Sequence, residues 1–218
     1  MSVTMRCYSS REEWLQARTS CIGGSDAAAI IGLNPYKSNV ELWEEKVGLR
    51  KPPDISDKPY VQYGNAAEPL LRKLFELDHP EMVVSYEEHN MWHNDRFPFA
   101  HASLDGWMWE RETGKDGILE IKTSEILNAG QWSKWNDKIP DNYYVQCCHY
   151  LMVTEYDFVV LKAQLKTTRD EDVRLDTRHY RIDRADVEQD IEYLAAAEEK
   201  FAWHVANKVR PALVLPEI

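Results

Sequence analysis

The chain has 218 residues, 44 % hydrophobic and 29 % charged, enough for one domain with a full core. Its formal net charge of −11 argues against broad binding to polyanions, yet leaves a nuclease open, because carboxylates that hold a metal count toward that total and basic residues can still line one groove. No stretch approaches the ~18 continuous apolar residues of a membrane span, and residues 2–7 lack the apolar run of a leader, so an intracellular protein with no membrane role is expected.

Ser10-Arg11-Glu12-Glu13 reads as a capping box that opens a short helix to about Arg18. Gly23-Gly24 permits a tight turn, Ser25 or Asp26 is placed to cap, and Gly32 to end a brief helix. After the turn Asn34-Pro35-Tyr36, Ser38 and Glu41 form a second capping box, for a helix through Leu42, Trp43 and Val47 that Gly48 ends. Residues 51–58 make a polar loop. A longer helix is predicted over 61–77 from Leu70, Leu71, Leu74, Phe75 and Leu77, with Pro69 dividing it in two or kinking it. Strands are predicted at 82–86, 90–92, 99–104 and 106–110, then, after a turn at 112–116, at 117–123. A buried helix at 143–153 leads to strands at 157–165 and 173–182. Asp183 is expected to cap a last helix to about Val205, and Pro211 and Pro216 to mark an irregular tail. The four cysteines, Cys7, Cys21, Cys147 and Cys148, have no metal-site spacing and read as reduced, mostly buried thiols. The order predicts an α/β fold, a central mixed sheet flanked by helices, as one domain over 1–218. It has a helical part at about 9–80, a sheet with its crossover helix at about 82–182, and a C-terminal helix at about 183–207.

The most informative segments are Ala102-Ser103-Leu104-Asp105-Gly106 and Leu119-Glu120-Ile121-Lys122. Strand side chains alternate, so Glu120 and Lys122 share a face while Leu119 and Ile121 turn into a core. If the two strands pair, Asp105 approaches Glu120, and two carboxylates make a hard oxygen site for Mg²⁺ or Mn²⁺. The Ile121 carbonyl is a further candidate ligand. Lys122 then stands where it can orient a water or stabilise charge at phosphorus. The spacing equally fits a turn aspartate and a solvated strand face; bulky apolar neighbours argue for the site, because an unpaired carboxylate among them is costly. Glu68, among Gly64, Asn65, Ala66 and Ala67, is a third candidate carboxylate on a helix able to approach closely.

These segments, with Ile22-Gly23-Gly24-Ser25-Asp26 through Asn34-Pro35-Tyr36, Gly64-Asn65-Ala66-Ala67-Glu68-Pro69 and Tyr143-Tyr144-Val145-Gln146, stand in the order of a known family. Over about residues 10–165 the chain resembles the YqaJ-like viral recombinases, phage-type alkaline exonucleases of the PD-(D/E)XK nuclease superfamily. The resemblance implies a PD-(D/E)XK restriction-endonuclease-like core. It implies Mg²⁺-dependent digestion of linear double-stranded DNA from its ends, 5′ to 3′, leaving 3′ single-stranded tails for recombination, with one or two ions and Mn²⁺ as a substitute. It gives Asp105, Glu120 and Lys122 the metal and catalytic roles, Glu68 the second-metal position, Gln146 a place lining the site, and Arg18 and Ser25 the 5′-phosphate. A glycine-permitted helix start beside Ser25 has independent sense as an anion site. Leu104 stands where the family often has proline, which removes no ligand. A homotrimer ring around DNA, a single-strand annealing partner, and host cytoplasm or nucleus as the location follow from the resemblance alone. Trp14 and Trp43 fit apolar helix stripes, and Trp132 and Trp135 read as packing or interface residues before base-stacking ones. A nicking or structure-specific endonuclease with the same core, and a non-enzymatic scaffold that binds DNA ends for an annealing protein, are the competing readings.

Overall fold

The computed structural model describes residues 2–169 and 172–215; Pro216 lies outside them. Strands β2 (Met82–Ser85), β4 (Gly106–Glu110), β5 (Asp116–Glu125), β6 (Phe158–Arg169) and β7 (Asp172–Asp183) form a five-stranded sheet in the order β2-β4-β5-β6-β7. Every neighbouring pair is antiparallel except β5 and β6, which run parallel and are joined through the short helix α5 (Ala129–Ser133) and helix α6 (Asp141–Thr154). This is the mixed α/β sheet flanked by helices that the sequence predicts. Strand β5 is covered on both faces. Leu119 and Ile121, with Phe158 and Val160, pack on Leu71 and Phe75 of α4 (Pro59–Asp78). Ile118, with Val159 and Leu161, meets Val145, Leu151 and Met152 of α6. Double coverage is why Ile118, Leu119 and Ile121 are apolar on both faces of this central strand, with Glu120 the one charge among its fully buried residues.

Helix α1 (Arg11–Thr19) forms where Ser10 predicts it, but only half of the box is made. Ser10 Oγ accepts from the Glu13 N–H at 3.2 Å, whereas the Glu13 carboxylate is taken by the Ser9 hydroxyl at 2.6 Å. The box at α3 (Asn39–Lys46) closes in both directions, and Gly48 ends that helix at φ +78°. In α7 (Glu188–Ala206), Glu198 lies buried against His149 of α6 at 2.7 Å and ties the two helices together.

Four expectations are corrected. Helix α2 (Gly24–Ile30) is capped by Gly23, so Ser25 and Asp26 lie inside it. Helix α4 is one helix through Pro69 rather than two: the missing N–H frees only the carbonyl four residues back, on Asn65, which is exposed to water. Residues 99–104 form no strand. They make isolated bridges from Ala100 to Ile22 and from Ala102 to Trp92, and the Asn90 carboxamide bonds both the N–H and the carbonyl of Leu104 at 2.9 Å in place of a neighbouring strand. Asp183 precedes a 3₁₀ turn (Arg184–Asp186), and its carboxylate pairs with Arg181 rather than capping α7. Strand β1 (Val3–Cys7), unforeseen, pairs with β3 (Asn90–Asn94) as a separate ribbon. Cys147 and Cys148 are buried as expected, whereas Cys7 is exposed and Cys21 half-buried; all are free thiols. Among the described residues no helix is long and apolar enough to cross a membrane.

Candidate active site

The β4–β5 ladder ends at the pair Gly106–Leu119. Asp105, one residue before it, therefore falls opposite Glu120. Its Oδ2 accepts from the Ile121 N–H at 2.9 Å. Within a strand the N–H and carbonyl of one residue point to the same side, so the Ile121 carbonyl also faces the Asp105 side, past the end of the ladder. Glu120 is 1 % exposed. Its Oε1 receives the Lys122 ammonium and, at 2.9 Å, the carboxamide N–H of Gln146 from α6. Gln146 also donates to the Tyr150 hydroxyl at 2.8 Å. The second oxygen, Oε2, is buried with no protein partner.

Glu68 reaches the same place from α4, where it pairs with Arg72 one turn later at 2.5 Å. Burial, and then the negative charge of Asp105, hold the Glu120 carboxyl up at about 8. The same two causes, in the same order, raise Glu68 to about 7. Burial opposes the charge on Lys122, but Glu120 and Asp105 outweigh it and keep its ammonium well above the usual lysine range.

One cleft of about 930 Å³ is lined by Glu68, Asp105, Glu120, Lys122 and Gln146 together with Arg18 and Ser25, so every side chain singled out for chemistry or phosphate opens onto one space. Arg18 stacks its guanidinium on the Trp14 ring at 4.3 Å, and Trp14 Nε1 donates to the Asn90 carbonyl. Trp14 thus walls the cleft rather than the core, in contrast to Trp43, which is buried. Trp135 is also buried, between Tyr143 and Tyr180, and Trp132 lies under the Arg178 guanidinium, so both pack. The helix-start argument for an anion weakens: α2 has seven residues, and the Gly23 N–H is already taken by the Asp26 carboxylate at 3.2 Å. What remains for a phosphate is the side chains of Arg18 and Ser25. Sequence reasoning missed Ser103, whose buried hydroxyl lacks a protein partner at the cleft wall, and Arg72. It also missed Tyr150, although its spacing of four from Gln146 on one helix face was a usable signal.

Among the described residues no group of three or more His, Cys, Asp or Glu is disposed to hold a metal ion. Glu68 is committed to Arg72, which leaves a pair, Asp105 and Glu120. A pair suffices for Mg²⁺ or Mn²⁺, which take one or two carboxylates and keep several waters. The unpartnered Oε2 and the upward shift of Glu120 are what a bound cation relieves, so these residues fit one.

A family model described as the YqaJ-like viral recombinase domain matches residues 13–157. The YqaJ protein of Bacillus subtilis (strain 168) is 35 % identical over 144 residues, which are 66 % of this chain and 42 % of that protein; the chain spans about two fifths of this relative's length. The fold is similar to that of the alkaline exonuclease LHK-Exo from Laribacter hongkongensis, with a TM-score of 0.61 at 18 % identity over 90 % of this chain and 97 % of that one. The same exonuclease in complex with dAMP aligns with a TM-score of 0.58 at 19 % identity, again over 90 % and 97 % of the two chains. A phage-related exonuclease from Haemophilus somnus 129PT aligns with a TM-score of 0.52 at 15 % identity, over 86 % of this chain and 96 % of that one. These structural likenesses establish the architecture.

Proposed function

The chain belongs to the YqaJ-like viral recombinase family, and from that premise we propose that it is a metal-dependent exonuclease that degrades linear double-stranded DNA from its ends. The observation that carries this reading is the convergence of Asp105, Glu120 and Lys122 on a cleft that Arg18 and Ser25 also line. The exonucleases among the fold neighbours, one of them crystallised with dAMP, support it.

Asp105 and Glu120, with the Ile121 carbonyl, would hold Mg²⁺ or Mn²⁺; the ion supplies neutralisation of the phosphate charge and a lowered pKa for a bound water. Lys122 keeps its charge beside Glu120 and is placed to orient the attacking water and to stabilise charge that develops on the phosphoryl oxygens. Gln146, fixed by Tyr150, holds Glu120 Oε1 and leaves Oε2 as the oxygen that would ligate an ion. Glu68, whose Oε1 is held by Arg72, would offer its remaining oxygen to a second ion. Arg18, with its forked donors, and Ser25 would grip a terminal 5′-phosphate. That grip sets a 5′ to 3′ direction and leaves 3′ tails suited to recombination. The family resemblance further suggests a homotrimer ring, a single-strand annealing partner and an intracellular setting.

Time-resolved digestion of linear duplex carrying phosphate or hydroxyl at each 5′ end, beside covalently closed circles, tests the reading. Mg²⁺-dependent loss of linear duplex, faster from 5′-phosphate ends and abolished by chelator, is expected. Asp105→Ala should lower the rate by at least about 100-fold. Full activity of that variant, or equal attack on closed circles, would refute it.

A further inference from the structure

Arg72 is an 8 %-exposed cation that the chemistry above does not use. Its fork spans the site. One terminal nitrogen donates to Glu68 Oε1 at 2.5 Å, and Nε donates to the main-chain carbonyl of Asp105 at 2.5 Å. The central carbon of the guanidinium sits over the Tyr86 ring, 3.5 Å from its centroid, just past the end of β2. Three elements thus meet at one planar group: the helix that carries Glu68, the residue that carries the Asp105 carboxylate, and the edge of the sheet.

We propose that Arg72 is a positioning residue for the cation site, a rigid strut that fixes the distance between Glu68 and Asp105. The Asp105 side chain is pinned to the Ile121 N–H, and Arg72 pins its carbonyl, so both ends of that residue are fixed. Without the carbonyl bond, the segment between the Asn90 clamp on Leu104 and the first ladder pair at Gly106 loses its only side-chain restraint on the α4 side among the described residues. Lysine cannot substitute: one ammonium cannot serve a carboxylate and a carbonyl in fixed directions while stacking on a ring. A merely structural ion pair would affect melting and leave cation affinity alone; a strut affects the cation even in a protein that folds.

The inference rests on the exonuclease reading, and Mn²⁺ binding by calorimetry or electron paramagnetic resonance separates the two. Arg72→Lys and Arg72→Gln should melt cooperatively, bind Mn²⁺ roughly 10–100-fold more weakly and lose kcat on linear duplex by a similar factor, with KM for DNA little changed. Arg72→Lys should give no rescue. Mn²⁺ affinity and kcat within about twofold of wild type in either variant, or a change confined to KM, would overturn the strut. If both variants fail to melt cooperatively, Tyr86→Leu, which keeps every polar partner, is read the same way: a loss in Mn²⁺ affinity is expected, and wild-type affinity overturns the proposal. Wild-type protein that binds Mn²⁺ yet cuts no DNA would remove the exonuclease reading while the Mn²⁺ comparison still decides the strut; wild-type protein that binds no Mn²⁺ removes the strut.

Discussion

Asp105, Glu120 and Lys122 were legible because period-two alternation puts charges on a face whose neighbours are apolar, and because buried charge needs a partner. Ser103 and Arg72 were not, since a serine and an arginine carry no periodic signature until neighbours are known. The same holds for His101, which is 1 % exposed. Burial, then the positive charge of Arg18, lowers its imidazole to about 2 from the usual 6.5, and its Nδ1 has no protein partner. A histidine kept neutral in the fold and free to protonate when unfolded stabilises above pH 6.5 and loses that contribution as pH falls through the acid range. Urea melts should therefore show wild-type stability falling from pH 7 to pH 4.5 more steeply than that of His101→Leu. Parallel slopes would show that His101 is not the group responsible.

Helix ends were legible wherever a side chain and a backbone group close a short ring, as at Ser38 and Glu41. They were misread where another side chain competes, as Ser9 does for Glu13, or where glycine itself caps, as at Gly23. Strand β1 and the non-strand at 99–104 depend on partners remote in sequence, which no local pattern carries. Close approach of α2 to α6 is equally hidden: a Cβ at Gly24 would lie 2.5 Å from Tyr150 Cε1 and 3.0 Å from Gln146 Cγ. Gly24→Ala should thus cost about 1–3 kcal/mol in denaturant melts and displace the pair that steadies Glu120. The rate should fall further than stability alone explains. A variant with wild-type stability and rate would mean that α2 does not set the position of α6.

At the scale of the molecule, the mixed sheet with its single parallel pair and crossover helix was readable from the order of elements. So was the approach of Asp105 to Glu120, which the structure makes where the β4–β5 ladder stops at Gly106. The net charge of −11 pointed away from nucleic acid, but the cleft does not share it: Glu68, Glu88, Asp105 and Glu120 are gathered there beside an equal number of cations, Arg11, Arg18, Arg72 and Lys122. The gathering itself could not be read, because α4 and α1 reach the cleft by packing rather than by pairing. The central claim is that Asp105 and Glu120 share one divalent cation, and crystals grown with Mn²⁺ test it most directly through the anomalous signal of the metal. A peak is predicted between Asp105 and Glu120 on the Ile121 carbonyl side, lost in Asp105→Asn. Its absence from wild-type crystals, or its persistence undiminished in the variant, would contradict the account.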